Sequence, residues 1–249
     1  MIPKLLHLAR LLLQIAFHRP SDLRHVLGIT TWGAEQVINP EADVRGFSRV
    51  NISSLIEKPL RLQIQIFPHV PASVSPLECA ALAALLGKSQ ARNVFEFGTY
   101  KGVSTTQLAL NIQPGGMVYT LDLPEDHPAY ALDIPKAEER QIASEGNKGI
   151  LVTPELAERV KFLRHDSATF DPSPYLGTMD FVFVDGAHSY EYVKNDTEKG
   201  WQMLRAEGII AWHDCNPNHA DVVRFLRSFG SKVSLVEGTA LAFSIKDQN

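Results

Sequence analysis

The sequence predicts an α/β protein: a doubly wound, mostly parallel, seven-stranded sheet with an antiparallel edge hairpin, plus a helical N-terminal extension. Three observations carry this prediction. From residue 93 onwards, short apolar runs alternate with helical stretches, a pattern typical of a parallel sheet with helices on both faces. The last two apolar runs are separated by only a short link, as in an antiparallel hairpin. Residues 1–74 lack the alternation, so we divide the chain into an extension, 1–74, and a sheet domain, 75–249.

The extension begins with the stretch IPKLLHLARLLLQIAF, whose apolar residues recur at helical spacing. This stretch is too short and too interrupted to cross a bilayer, and no small-residue cleavage site follows it. A basic amphipathic helix can lie on a membrane surface, or it can dock on its own domain or on a second subunit. We favour docking, because amphipathic helices usually face a protein core. A homo-oligomer is therefore one prediction.

The sheet domain opens with the predicted helix SPLECAALAALLG. Ser75 is a candidate N-cap, Pro76 takes the first helical position, Glu78 completes a capping box and Gly87 is the expected end. Strands are then predicted at 93–97, 117–121, 160–163, 180–184, 208–212, 232–236 and 240–245, and helices at 102–112, 136–143, 154–159, 189–204 and 220–229. The polar region 124–152, which contains Tyr130, is a candidate lid.

Composition narrows the function classes. The chain has 249 residues, is 45% hydrophobic and carries a formal net charge of -4, so it lacks the basic stripe that nucleic-acid binding needs. Cys79 and Cys215 are its only cysteines, which make neither a disulfide framework nor a zinc ribbon. We expect free, reduced thiols and a cytoplasmic location.

Polar residues follow five successive predicted strands, where doubly wound sheets bind their ligands. They are Glu96, Asp122, Asp166 with Ser167, Asp185, and His213 with Asp214. Asp122 lies twenty residues after Gly102, a spacing at which a carboxylate can accept hydrogen bonds from both ribose hydroxyls of a nucleoside. Asp166 could accept one from an adenine amine. The recurrence of polar residues at this sheet edge predicts a ligand site.

The turn after the first strand, FEFGTYKGVSTTQ, adds a glycine loop. Gly98 allows a tight turn and Gly102 opens a helix whose free N–H groups can meet an anionic group. The spacing of these glycines is neither that of a dinucleotide-binding G-x-G-x-x-G nor that of a P-loop. A nicotinamide-dependent oxidoreductase is therefore disfavoured.

The segments EFGTYKGVST, LDLP, HDSA and DFVFVDGAHSYEYVKNDTEKGWQMLRAEGIIAWHDC together resemble class I S-adenosylmethionine-dependent methyltransferases, which have a Rossmann-like sheet. More narrowly, they resemble small-molecule O-methyltransferases that act on sugars and antibiotic hydroxyls and carry Asp-x-x-His after the fourth strand. The resemblance spans residue 75 to the C-terminus. It implies that the glycine loop cradles the methionine part, that Asp122 holds the ribose and that Asp166 and Ser167 frame the adenine. The implied loop contacts are Glu96, Gly98, Thr99, Gly102, Ser104 and Thr105.

The resemblance also implies a base and a metal. His188, three residues after Asp185, would accept the proton of the methylated hydroxyl, because histidine titrates near neutral pH; alternatively, it only belongs to the cap of the next helix. Asp185, His213 and Asp214 would hold a divalent metal. His213 stands where similar enzymes have an acidic residue, and imidazole suits manganese, iron, nickel or zinc better than magnesium. Alternatively, no metal binds and the two carboxylates orient the substrate.

The predicted function is transfer of a methyl group from S-adenosylmethionine to a hydroxyl of a small molecule, a sugar or a glycosylated metabolite. Catalysis would use His188 and Asp185. The alternative is a non-catalytic S-adenosylmethionine-binding scaffold, which would have no use for Asp185, His188 and Asp214 together. We expect no nucleic-acid partner and no membrane insertion.

Overall fold

A computed structural model describes residues 43–124, 130–134, 148–229 and 232–248. The helices predicted at 2–17 and 136–143 lie outside these described residues. Among the described residues, no helix has both the length and the apolar character that crossing a bilayer requires. Cys79 and Cys215 are both buried and neither is in a disulfide.

The described strands form one eight-stranded sheet in the order β1-β7-β8-β6-β5-β2-β3-β4. Their bounds are β1 Ser48–Val50, β2 Asn93–Phe97, β3 Met117–Asp122, β4 Val160–Arg164, β5 Met179–Val184, β6 Leu204–Trp212, β7 Ser234–Val236 and β8 Ala242–Ile245. Strands β2 to β6 pair in parallel, and β8 is antiparallel to β6 and β7. The predicted fold class and edge hairpin are confirmed, with one strand more than predicted.

The additional strand, β1, comes from the predicted extension and pairs in parallel with β7. Its three residues, Ser48–Val50, include one partly buried position and two exposed ones. So short and polar a run carries no alternation that could identify a strand. The domain boundary between residues 74 and 75 stays a prediction, because β1 joins the sheet from the N-terminal side of it.

The described part of the chain contains four α-helices: α1 Pro76–Ser89, α2 Val103–Asn111, α3 Tyr190–Met203 and α4 Ala220–Ser228. The capping box of α1 is present: Glu78 N donates to Ser75 Oγ at 3.3 Å, and Ser75 N donates to Glu78 Oε2 at 2.7 Å. The expected end at Gly87 was wrong, since α1 continues to Ser89 and ends at Gln90 in the left-handed conformation. Gly87 instead lets the Leu60 side chain pack closely, because a Cβ there would lie 2.3 Å from Leu60 Cδ2.

The central strands are buried on both faces. Phe181 and Phe183 of β5 pack in the cluster that contains α1 and α2 residues, whereas Val182 and Val184 pack with residues of α3 and α4. A fully buried Phe stabilises the fold by roughly 1.5–3 kcal/mol, so this strand anchors both layers. Strand β2 leads through α2 to β3 on one side, and its neighbour β5 leads through α3 to β6 on the other. A crevice at this switch point is where such sheets bind ligands.

Gly98 follows β2 and makes this crevice possible. Its φ is +92°, and a Cβ would lie 2.0 Å from the Asp185 carbonyl oxygen. We expect Gly98→Ala to lower the free energy of unfolding by about 2 kcal/mol or more, because the neighbouring backbone must move and the left-handed conformation is strained. Urea unfolding measures this loss.

Gly177→Ala is the matched control for this prediction. Gly177 also has a positive φ, +65°, but a Cβ there would meet nothing within 4 Å. The control should lose only the strain of the left-handed conformation, about 1 kcal/mol. Equal losses in the two variants would contradict the role of close backbone contact at Gly98.

Candidate functional site

A cavity of about 810 Å³ opens at the carboxyl ends of the central strands. Its size is that of a pocket for a small molecule or cofactor. Ten predicted site residues line it: Gly98, Thr99, Ser104, Asp122, Asp166, Ser167, Asp185, His188, His213 and Asp214. The other three, Glu96, Gly102 and Thr105, are not among its lining residues. The predicted catalytic residues, the predicted metal ligands and most of the predicted cofactor-binding residues therefore lie together on the wall of one cavity.

Glu96 and Thr105 lie behind this wall. Glu96 is fully buried, and its Oε2 accepts hydrogen bonds from Thr105 Oγ1 at 2.5 Å and Thr120 Oγ1 at 2.6 Å. Within the described part of the chain, Glu96 Oε1 is a buried atom with no hydrogen-bond partner. Burial raises the pKa of Glu96 to about 7, against the opposing hydroxyl donors. An amine or water donor would satisfy the bare oxygen.

The raised pKa of Glu96 makes stability depend on pH. Between pH 4.5, the ordinary pKa, and about pH 7, the folded protein keeps a proton on Glu96 that the unfolded chain has lost. The free energy of unfolding therefore falls as pH rises through this window, by up to about 3 kcal/mol. We expect Glu96→Gln to lose less stability than the wild type between pH 5 and pH 8 in urea unfolding. Equal losses would show that Glu96 titrates normally.

Gly102 serves packing as much as helix initiation. It precedes α2 in the left-handed conformation, with φ +89°, and a Cβ there would lie 2.8 Å from Val152 Cγ2 and 3.1 Å from Gly149 Cα. The segment around Gly149 thus lies directly on the start of α2. The residues of the glycine loop and α2 that line the cavity are Gly98, Thr99, Tyr100, Val103 and Ser104.

Asp122 already has four donors. Its Oδ2 accepts hydrogen bonds from Thr99 N at 3.0 Å and Tyr100 N at 2.8 Å, so the carboxylate shapes the glycine loop. Its Oδ1 accepts from Leu123 N at 2.7 Å and Lys148 Nζ at 2.5 Å. The Lys148 side chain is 3% exposed. A ribose that binds Asp122 would therefore share the carboxylate with this lysine or replace it.

Asp166 is held in a similar way. Tyr192 Oη donates to both carboxylate oxygens at 3.1 and 3.0 Å, and Ala168 N and Ala131 N donate one bond each at 2.8 and 3.0 Å. The neighbouring carbonyls of Ser167 and Ala168 accept from Lys199 Nζ. Tyr192 was not predicted, although its place on the first turn of the helix after Asp185 puts it near this loop. The arrangement gives the loop a defined shape at the cavity.

Asp185, His213 and Asp214 converge, as the adjacency of β5 and β6 requires. His213 Nδ1 lies 3.0 Å from Asp185 Oδ1 and 3.1 Å from Asp214 Oδ2. Burial lowers the pKa of His213, but the charges of the carboxylates outweigh it and hold this pKa well above 6.5. Burial raises the pKa of Asp185. For Asp214, the hydrogen bonds from His188 and His213 overcome burial and lower the pKa below 3.8.

Asp214 also faces two other histidines. His188 Nε2 lies 2.9 Å from its Oδ2, and His219 Nε2 lies 3.3 Å from its Oδ1. The two imidazole rings are 4.4 Å apart between centroids. His219 was not predicted, although its position five residues after Asp214 in HDCNPNH was a readable signal. The cluster offers both a carboxylate-oriented histidine and several metal donors.

The donor geometry fits a divalent cation. Nitrogen and oxygen atoms that share a cation at about 2.1 Å lie roughly 3 Å apart, close to the 3.0 and 3.1 Å between His213 Nδ1 and the two carboxylates. To bind a metal, Nδ1 would exchange its proton for the cation. A second set with mutually close donor atoms is His188, Asp214 and His219. Mixed nitrogen and oxygen donors favour a transition metal over magnesium.

Comparison with known proteins finds a similar family for the central part of the sheet domain. Residues 95–215 match the model of a family described as a methyltransferase domain. Among proteins of curated function, none matches the chain at a significant level.

Similar solved structures share the fold. Cofactor-bound Rv0187 from MTB has 22% identity and a TM-score of 0.50, over 72% of this chain and 84% of that one. The O-methyltransferase TomG from Streptomyces achromogenes, in complex with SAM, has 18% identity and a TM-score of 0.50, over 71% and 82%. The SAH-bound methyltransferase PaMTH1 from Podospora anserina has 19% identity and a TM-score of 0.50, over 74% and 83%. The match over residues 95–215 and the shared fold agree with the resemblance to class I methyltransferases that the motifs carry.

Proposed function

We propose that the chain is an S-adenosylmethionine-dependent O-methyltransferase that acts on a hydroxyl of a small molecule, a sugar or a glycosylated metabolite. One observation carries this proposal: a single cavity is lined by two groups of residues. The first is the glycine loop with Asp122, and the second is the cluster of histidines and carboxylates around Asp214. The first group suits a nucleoside cofactor, and the second suits removal of a proton. TomG, a structure of the same fold, is an O-methyltransferase in complex with SAM, which supports the same cofactor here.

The cofactor would lie along the ends of β2, β3 and β4. S-adenosylmethionine supplies an electrophilic methyl group on a sulfonium. Asp122 would accept from the ribose hydroxyls, and Asp166 and Ser167 would frame the adenine. The backbone of Gly98 and Thr99, with the Ser104 hydroxyl, would surround the methionine part. The bare Oε1 of Glu96 would accept from the amino group through water, because Glu96 is not on the cavity wall.

His188, which lines the same cavity, would act as the general base. Asp214 accepts one ring N–H of His188, and a neutral imidazole then carries its lone pair on the other nitrogen. That nitrogen would take the hydroxyl proton as the oxygen attacks the methyl group. Asp214 would stabilise the resulting imidazolium by its charge. The chain thus contributes orientation and a place for the proton.

A divalent metal is the remaining part of the proposal. Asp185, His213 and Asp214 would hold it. When bound, such a metal would supply Lewis acidity that lowers the pKa of an acceptor hydroxyl. If chelator treatment leaves activity intact, Asp185 and Asp214 instead orient the acceptor directly through hydrogen bonds.

The experiment is an acceptor screen with methyl-labelled S-adenosylmethionine. The purified chain is incubated with sugars, glycosides and phenols, and label is followed into each product. We expect transfer to at least one hydroxyl compound, in an oxygen-linked methyl group. Tight cofactor binding without transfer to any class would instead favour the scaffold alternative.

A further inference from the structure

Glu78 contacts the candidate metal centre although it belongs to a helix cap. It is 7% exposed and lies on the cavity wall. Its Oε2 accepts from Ser75 N, and its Oε1 accepts from Ala240 N at 2.9 Å. The same Oε2 lies 3.5 Å from His213 Nε2. The capping box needs only the bond to Ser75, so the contact with His213 is an additional one.

This contact determines how His213 presents its ring. Nε2 faces the Glu78 carboxylate, and Nδ1 faces Asp185 and Asp214. A carboxylate beside Nε2 favours a proton on that nitrogen, which leaves the lone pair of a neutral ring on Nδ1.

We propose that Glu78 is a positioning residue for a metal-ligating His213. By holding Nε2–H, it directs Nδ1 towards the position that Asp185 and Asp214 share. Metal-binding histidines commonly donate their second ring N–H to a carboxylate, which fixes the tautomer and makes the ligand nitrogen more basic. The site would take a divalent transition cation such as Mn²⁺ or Zn²⁺. This inference rests on the metal part of the proposed function.

The two roles of Glu78 can be separated by mutation. Ser75→Ala removes the hydroxyl that caps α1 and leaves the Glu78 carboxylate beside His213. Glu78→Gln keeps an acceptor for the backbone and removes the negative charge that favours Nε2–H. A capping role would move the melting temperature in both variants. A positioning role moves metal affinity in Glu78→Gln alone.

The test is calorimetric titration of the chelator-treated full chain with Mn²⁺. We expect Glu78→Gln to bind Mn²⁺ about 10- to 100-fold more weakly than the wild type, and Ser75→Ala to bind it as the wild type does, at a lower melting temperature. Unchanged affinity in Glu78→Gln, or an equal loss in Ser75→Ala, would overturn the proposal. So would a wild type that binds no Mn²⁺.

A measurement on the wild type covers the case in which Glu78→Gln does not fold. Nitrogen NMR of histidine in the Zn²⁺-loaded protein should show His213 with a proton on Nε2 and the metal on Nδ1. The opposite arrangement would overturn the proposal. Titration of the same preparation with S-adenosylhomocysteine separates the outcomes, because cofactor binding without metal binding leaves the methyltransferase proposal standing.

Discussion

Replacing His188 with alanine is expected to lower the turnover number by about 10²- to 10⁴-fold, the usual contribution of a general base. The acceptor hydroxyl would then lose the histidine proposed to take its proton, whose Nε2 lies 2.9 Å from Asp214 Oδ2. The affinity for S-adenosylmethionine should stay within about twofold, since the proposed cofactor contacts come from residues at the ends of β2, β3 and β4 and do not include His188. Steady-state kinetics and calorimetry give the two values.

His219→Ala is the matched comparison. His219 approaches the other oxygen of Asp214, at 3.3 Å, and is exposed to a similar extent as His188, 31% against 30% for the side chains. We expect its loss to lower turnover by about tenfold or less, because it would affect only the charge near Asp214. Normal turnover in His188→Ala, or a larger loss in His219→Ala, would remove His188 from the role of base.

Asp122→Asn is expected to weaken S-adenosylmethionine binding by roughly 100-fold or more. Two hydroxyls that donate to a carboxylate would lose charge-assisted hydrogen bonds worth about 1.5–3 kcal/mol each. The hydrogen bonds that hold the glycine loop would also weaken, since Asp122 Oδ2 accepts from the backbone N–H groups of Thr99 and Tyr100 and a neutral amide oxygen is a weaker acceptor than a carboxylate. Calorimetric titration with S-adenosylmethionine measures the change.

A second variant separates affinity from stability. Asp122→Asn leaves the Lys148 ammonium, whose side chain is 3% exposed, without its carboxylate partner, and an uncompensated buried charge costs about 3 kcal/mol or more. The double variant Asp122→Asn with Lys148→Met should recover melting temperature but not affinity. Affinity equal to that of the wild type in the double variant would contradict the ribose role of Asp122.

The strand ends were predictable because parallel strands deliver successive polar residues to one sheet edge. Asp122, Asp166, Asp185 and Asp214 each follow an apolar run, and all four line the cavity. Sequence periodicity does not show how deep a strand-end side chain lies. Glu96 pairs with Phe183 inside the sheet, and its side chain is buried behind the cavity wall. A prediction that uses chain position alone assigns such a residue to the site without knowing its depth.

Other contacts depend on packing between distant segments. Lys148 reaches Asp122 across 26 residues, and nothing in its own neighbourhood marks it. The sequence indicates only a capping role for Glu78, because its contact with His213 comes from the packing of α1 against the end of β6. The glycine at position 87 has a tertiary cause as well, the Leu60 side chain. For Glu78 and Gly87, a helix cap and a helix end explain the residue from its local sequence, so the sequence gives no sign of the tertiary contact.

The most direct test is calorimetric titration of the wild-type chain with S-adenosylmethionine, S-adenosylhomocysteine and NAD⁺. The glycine loop, Asp122 and the Asp166 loop predict micromolar binding of the first two ligands and none of NAD⁺. Heat with NAD⁺ and none with either S-adenosyl compound would contradict the assignment of the cavity to methyl transfer.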